Sequence, residues 1–183
     1  SRRIRQRAAK GEIAAPRIFL YQTFGRCDAV EDAYRSGHAP LNAAEGFIRQ
    51  IIGWREYIWG VYWLWTPDYR HHNELEAHRD LPPLFTGAAT TDMRCVSDTL
   101  ASVHEHAYAH HIQRLMVLAN FATLAGIRPQ ALVDWMWGAF IDGAEWVMLP
   151  NVIGMGTYAD GGRMSTKPYV SSGAYIDRMS QGY

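Results

Sequence analysis

Apolar positions recur every three or four residues through most of the chain, which is the period of one face of an α-helix. In NAAEGFIRQIIGWREYIWGVYWLW the steps Phe47, Ile51, Trp54, Ile58 and Tyr62 predict one long amphipathic helix. Asn42, with Glu45 three residues on, has the spacing of a capping box and is expected to start that helix; Thr66-Pro67 is expected to stop it. Before it, AVEDAYRSG reads as a short helix closed by Gly37. Residues 67–91 are polar, contain Pro82-Pro83 and read as a long connection, of the kind that is usually functional or mobile. A helix is expected from TDMRCVSDTLASVHEHAYA, followed by YAHHIQRLMVLANF, where Ile112, Leu115, Met116, Ala119 and Phe121 keep the helical period. Arg128-Pro129 opens PQALVDWMWGAFIDG, because proline suits a first helical turn. Asp142 is expected on a helix within AFIDGAEWVMLPN. After Pro150 the stretch NVIGMGTYADGGRMSTKPYVSSG turns rich in Gly, Ser and Thr and predicts a long loop that shapes a site, and AYIDRMSQ a last short helix. No alternating strand pattern competes, so the predicted fold class is all-α. Residues 1–27 carry no pattern that compels a fold.

Composition narrows the possibilities. The 183 residues contain no low-complexity segment, which suits one domain or a piece of one. Seven tryptophans is a high number for such a chain and implies either a dense core or a planar ligand. The 18 acidic and 18 basic residues cancel, which argues against a generically basic nucleic-acid binder and leaves room for a local basic patch. Only Lys10 and Lys167 among the cations are lysine, and arginine suits planar recognition of phosphate or carboxylate. The start SRRIRQRAAK has the composition of a transit sequence and equally of a solvated terminus. Cys27 and Cys95 make neither a disulfide framework nor a metal site by themselves, and no apolar run is long enough to cross a membrane. A soluble, reducing compartment, the cytoplasm, is therefore expected.

Chemistry concentrates in three places. In YAHHIQRLM an otherwise apolar helix carries four polar groups, and His110 and Arg114, four apart, are expected to share a face. Such groups either meet water or line something. His106 and His110 are also four apart, as two zinc ligands on one helix would be, but Tyr108 stands where the second histidine of a zincin motif belongs, and histidines on a solvated face are the plainer alternative. Asp142, flanked by Phe140, Ile141 and Trp146, wants a charged partner, and Arg114 is the candidate. The two would form either an ordinary ion pair or a pair that holds a polar heterocycle. STKPYVSSG supplies a lysine, a tyrosine and hydroxyls, types that position phosphates and also occur in ordinary loops.

Taken together, GWREY, AHHIQRLM, IDGAEWVMLPN and DGG followed by STKPYVSSGAYIDRMS resemble the C-terminal helical domain of the photolyase and cryptochrome superfamily. The resemblance is to its bacterial iron–sulfur branch, the (6-4) photolyases and photolyase-related proteins, and it covers residues 28–183 in order. It implies FAD in a helical pocket, blue-light absorption, and electron transfer from reduced FAD into a pyrimidine photoproduct of UV-damaged DNA, a lyase reaction. It implies that His110 and His111 are paired histidines at the lesion pocket, with His111 the proton donor, a role that suits a pKa near ambient pH. Arg114 and Asp142 would lie beside the flavin ring, Met148 and Asn151 would face the flavin, and Lys167 and Tyr169 would border the lesion and flavin cavity. Trp135 would be an electron relay, and Cys95 the first of four cysteines holding a 4Fe–4S cluster.

Several positions depart from the family pattern. Nothing corresponds to the family's N-terminal α/β antenna domain, and the other three cluster cysteines would come after DRMSQGY, so the chain is expected to be a fragment incomplete at both ends. Residues 1–27 do not follow the family, and Cys27 has no assigned role. Met148 stands where relatives place a carboxylate or amide, Phe85 and Met136 where they often place the relay residues Trp and Tyr, and Trp59 where an Arg is usual. These departures keep two alternatives in view: a cryptochrome-like blue-light receptor without repair activity, and a cofactor-free helical module that binds protein or DNA.

Overall fold

The computed structural model describes residues 16–180. The Arg-rich start lies outside them. The chain divides into two compact units, Ser1–Tyr57 and Ile58–Tyr183.

In the first unit a helix runs over Pro16–Arg35. It begins well before Asp28, so part of the unpatterned segment is helical. Pro16 at its start suits a first turn, and no further proline interrupts it. Gly37 comes next with φ 78°, the left-handed geometry that ends helices at glycine. The next helix, Leu41–Arg49, starts two residues earlier than expected, with Pro40 in place of Asn42 at the cap position and no capping side chain. Asn42 therefore sits inside the first turn, where it cannot cap, and Glu45 pairs with Arg49 one turn on instead. The helix continues as a π-helical stretch, Gln50–Arg55. A helix over Glu56–Trp65 carries the chain onward, and Thr66-Pro67 ends it as expected.

In the second unit, residues 67–91 contain two short 3-10 turns, Asp68–His71 and Pro83–Thr86. An isolated bridge joins Arg79 to Ile127, and no other pairing of strands occurs among the described residues. Helix Arg94–His106 packs on a π-helical stretch, Arg114–Ala119; this packs on another, Asn151–Gly156, which packs in turn on helix Pro129–Ala139. The first part of the Gly-rich segment after Pro150 is thus helical, and the irregular loop begins only near Thr157. Leu118, Leu132, Val133 and Ile153 fill the space between these elements with no exposed surface. Each such side chain contributes roughly 1.5–3 kcal/mol of burial. Helix Gly173–Ser180 closes the described chain. The fold is all-α, and among the described residues no helix is long and apolar enough to cross a membrane.

Candidate functional site

The site begins with a break. Helix Arg94–His106 stops at Ala107, which adopts φ 51° and still bonds back to the Val103 carbonyl. The chain then re-enters helix at His111, with His110 as its cap: His110 Nδ1 accepts from the Ile112 amide at 3.2 Å, and Gln113 Oε1 accepts from the His110 amide at 3.0 Å. His106 and His110 consequently lie on opposite sides of the break and do not share a helix face, as a two-ligand zinc site would need. Among the described residues no group of three or more His, Cys, Asp or Glu gathers to hold a metal. The same restart separates the adjacent histidines. His110 lines a cleft with Met116, Tyr175 and Met179, whereas His111 lines a different one with Arg114.

Arg114 is held at every nitrogen of its fork. Its Nε donates to the Ala109 carbonyl at 2.7 Å, and its Nη1 and Nη2 donate to the two carboxylate oxygens of Asp142 at 2.8 and 3.1 Å. This is the bidentate geometry in which a guanidinium binds a carboxylate best. The Phe140 ring lies 4.1 Å from the guanidinium carbon and the Tyr108 ring 5.0 Å. Asp142 reaches Arg114 from a turn and not from a helix. Helix Pro129–Ala139 ends at the extended Phe140, and the Gly143 amide bonds back to the Phe140 carbonyl. A side chain at Gly143 would stand 2.7–2.9 Å from three carbonyl oxygens of the helix end, so the turn requires glycine. The Ile141 amide donates to the Ala107 carbonyl at 2.9 Å, which ties the turn to the helix break.

The cleft beside this pair encloses about 70 Å³. Its walls are largely the two π-helical stretches and the helix before the second: Leu115 and Ala119 on one side, Met148, Asn151, Val152 and Met155 on the other, with Met136 between. Single π turns often mark functional positions. The His111 imidazole is partly sheltered, and that shelter, followed by the nearby Arg114 and His110 charges, pushes its pKa below the ordinary 6.5. At neutral pH it is a neutral ring. Asn151 has a carbonyl oxygen that is shut off from solvent and has no hydrogen-bond partner.

A comparison with protein-family models gives no match. A (6-4) photolyase from Agrobacterium fabrum is 56% identical over 154 residues, which are 84% of this chain and 30% of that protein's length. The chain is similar to part of a photolyase. It spans less than a third of that relative, and 36% of it is also 40% identical to about half of an uncharacterized protein of Acanthamoeba polyphaga mimivirus.

In this chain the residues read from the sequence divide into those that meet and those that do not. His111, Arg114, Met148 and Asn151 line one cleft, and Asp142 is bonded to it through Arg114. Trp135 stands one layer behind: its indole donates to the Phe85 carbonyl at 2.9 Å, and its ring meets Phe85 and Phe140 edge-on at 4.9 and 5.7 Å. Lys167 is exposed and Tyr169 half-buried, and neither belongs to this lining. Cys95 is a free thiol in a third, apolar cleft with Val117, Phe121 and Ile176. Met155 and the network of Tyr69 with Asp160 have no sequence signal of their own. The Tyr69 hydroxyl donates to Asp160 Oδ2 at 2.6 Å, which also accepts from the Met164 amide at 2.9 Å, and both side chains are buried. The network holds the loop after Gly156 against the back of the cleft wall, so close to Gly154 that a methyl there would lie 2.4 Å from the Tyr69 oxygen.

Proposed function

We propose that the chain is the flavin-binding helical part of a light-dependent DNA repair enzyme of the photolyase family, acting on (6-4) photoproducts in UV-damaged DNA. The observation that carries this reading is the cleft in which His111 meets the Arg114–Asp142 pair, within a stretch 56% identical to a (6-4) photolyase. The donor set suits the edge of a flavin. An apolar wall would take a flat ring, a neutralised guanidinium clamps its own carboxylate, and an orphaned acceptor awaits a donor. The enclosed 70 Å³ is below the roughly 300–1,000 Å³ of sites that bury a whole small ligand, so a ring edge fits and a complete dinucleotide requires the methionines to move.

When bound, FAD would supply the light absorption and the electron. The protein's own groups do the rest. Arg114, fixed at three points, keeps a positive charge at a set place beside the ring edge without seeking water. Asp142 holds that charge in orientation. His111, neutral at rest, would hand a proton to the lesion only once protonated, and its lowered pKa makes the protonated ring a stronger acid. Cys95 would be one cluster ligand among four, the others coming from elsewhere in a longer protein.

Incubation of the purified chain with FAD, removal of excess, and a visible spectrum test the first half of this reading. A retained, structured flavin band is expected, and its absence would sink flavin binding by this chain. Irradiation with DNA carrying a (6-4) lesion, in a protein extended to the relative's length, tests the second half. His111→Ala should keep the flavin and abolish repair; full repair by that variant would remove His111 from the mechanism. A signalling photoreceptor is the second reading, and it is favoured by Phe85 and Met136, both buried and neither easily oxidised. It predicts that light alters the absorption of the bound flavin while damaged DNA is left unchanged.

A further inference from the structure

Away from the cleft, helix Glu56–Trp65 presents three aromatic rings on one face, because Tyr62 and Trp63 follow Trp59 by three and four residues. With Trp146 of helix Glu145–Pro150 the rings form a continuous series. Trp146 meets Trp59 edge-on at 5.2 Å, Trp59 meets Trp63 at 5.5 Å, and Trp63 meets Tyr62 at 5.3 Å. A hydrophobic core would explain such contacts if the rings were all buried, but Trp63 is 63% exposed. The last ring also differs in kind. The Tyr62 hydroxyl donates to Glu145 Oε2 at 3.1 Å, and Arg70 Nη1 stands 3.9 Å from the other oxygen of that carboxylate. Arg70 is bonded to Asp134 as well, so it keeps a carboxylate partner if Glu145 takes up a proton. Shelter from water, then the bond to Glu145 and its charge, raise the Tyr62 pKa above the ordinary 10, against the opposing pull of Arg70. The phenol therefore rests protonated at neutral pH. A phenol that can pass its proton to a base as the electron leaves is easier to oxidise than an indole.

We propose that Tyr62 is a redox-active tyrosine, the terminal electron donor of an aromatic path through Trp146, Trp59 and Trp63, with Glu145 as its proton acceptor. A one-electron oxidant takes an electron from an indole of the path and is itself reduced. The neighbouring ring refills that indole, because electron tunnelling falls off exponentially with distance and is fastest between rings in contact. Tyr62 supplies the last electron. Its O–H bond breaks, the proton passes to Glu145 Oε2, and a neutral tyrosyl radical is left facing a neutral carboxylic acid, with every indole restored. Trp146 directly precedes Val147 and Met148 of the cleft wall, and Trp63 opens to solvent. An oxidising radical in solution and a photoexcited flavin in the cleft would charge the same path, so Tyr62 is oxidised with or without flavin. The path is separate from Trp135, whose ring meets Phe85 and Phe140. Tyr69 is the competing phenol, since it donates to Asp160 and its ring lies 5.2 Å from Trp65. Both oxygens of Asp160 already accept backbone amides, from Gly162 at 3.0 Å and Met164 at 2.9 Å, so a proton arriving there would displace one of them.

The test is pulse radiolysis of the ligand-free chain with azide radical, which oxidises indoles selectively, followed through the indolyl and tyrosyl absorption bands. The indolyl band should decay as the tyrosyl band rises, at a rate independent of protein concentration and slower in heavy water. Tyr62→Phe should abolish the rise and leave the indolyl radical to persist. Glu145→Gln keeps a hydrogen-bond acceptor but no proton acceptor, and should slow the rise about tenfold or more while the melting temperature stays close to wild type. A purely structural Glu145 would do the reverse and lower the melting temperature with the rate intact, which would remove it as the proton acceptor. No first-order rise in the wild type, a full rise in Tyr62→Phe, or a rise lost in Tyr69→Phe instead would each overturn the role of Tyr62. Should Tyr62→Phe not fold, the heavy-water slowing and the Glu145→Gln rate decide: both present support the pair, and neither present overturns it.

Discussion

His111 and Asp142 show how single side chains in this chain answer to their surroundings. The folded chain holds the His111 pKa below 6.5, so as the pH drops the unfolded chain takes up a proton there that the folded chain resists. Stability from this group is fully present above the unfolded value and falls as the pH is lowered through 6.5 toward the lower folded value. Denaturant unfolding across that range should show the slope in the wild type and a shallower one in His111→Gln; equal slopes would mean that position 111 does not contribute. Asp142 makes a different contribution. Its own surface is half exposed, but Arg114 is largely buried, so Asp142→Asn leaves a guanidinium with less compensation than it had in water. A loss of about 1–2 kcal/mol, between the values for exposed and buried pairs, is expected in urea unfolding. A loss near zero would mean that the Ala109 carbonyl and the two rings hold Arg114 by themselves.

Helix packing depends on places where no side chain fits. At Gly154 a methyl group would meet the Tyr69 oxygen and the Met164 side chain at 2.4–2.7 Å, and both are held by Asp160 or packed beside it. Gly154→Ala is expected to destabilise by about 2–3 kcal/mol, and circular dichroism melts would check it. Tyr69→Phe removes a donor from buried Asp160 and should cost about 1–3 kcal/mol. The helices themselves are largely legible in the sequence, because Phe47 to Tyr62 and Leu115 to Phe121 keep a helical period whatever they pack against. What pattern does not reveal is local geometry. Ala107 has no sequence feature that marks a left-handed residue; it is set by the turn that ties it to Ile141. Asp142 lies in a stretch whose apolar neighbours mimic helical spacing, while Gly143 and the extended Phe140 break the helix there. Asn42 has a cap's spacing to Glu45, yet Pro40 takes the position instead.

At the scale of the whole molecule, equal numbers of acidic and basic residues place the isoelectric point near 7.1. With net repulsion absent, light scattering should show a solubility minimum close to neutral pH that recedes on either side; a flat profile would mean that local patches govern association. The pairing of Arg114 with Asp142 is legible as a pairing of types, since an acid among apolar residues needs a cation. That His110 and His111 open onto different clefts is not, because it comes from a helix restart between residues with the same side chain. Neither is the orphaned oxygen of Asn151, which depends on where the carbonyl one turn back happens to lie.

The two π-helical stretches that wall the cleft carry one more consequence. Each wraps its hydrogen bonds one residue wider than an α-turn, so each holds, in effect, an inserted residue. The wide turn absorbs that residue without turning the helix on either side. Loss of one residue from 115–119 would therefore let the first stretch close into ordinary α-helix with Arg114 still directed at Asp142. In helix Pro129–Ala139, which has no such slack, the loss of one residue would turn everything beyond it by about 100°. For this chain a deletion of one codon is expected to lower the melting temperature less in the π-helical stretch than in that helix.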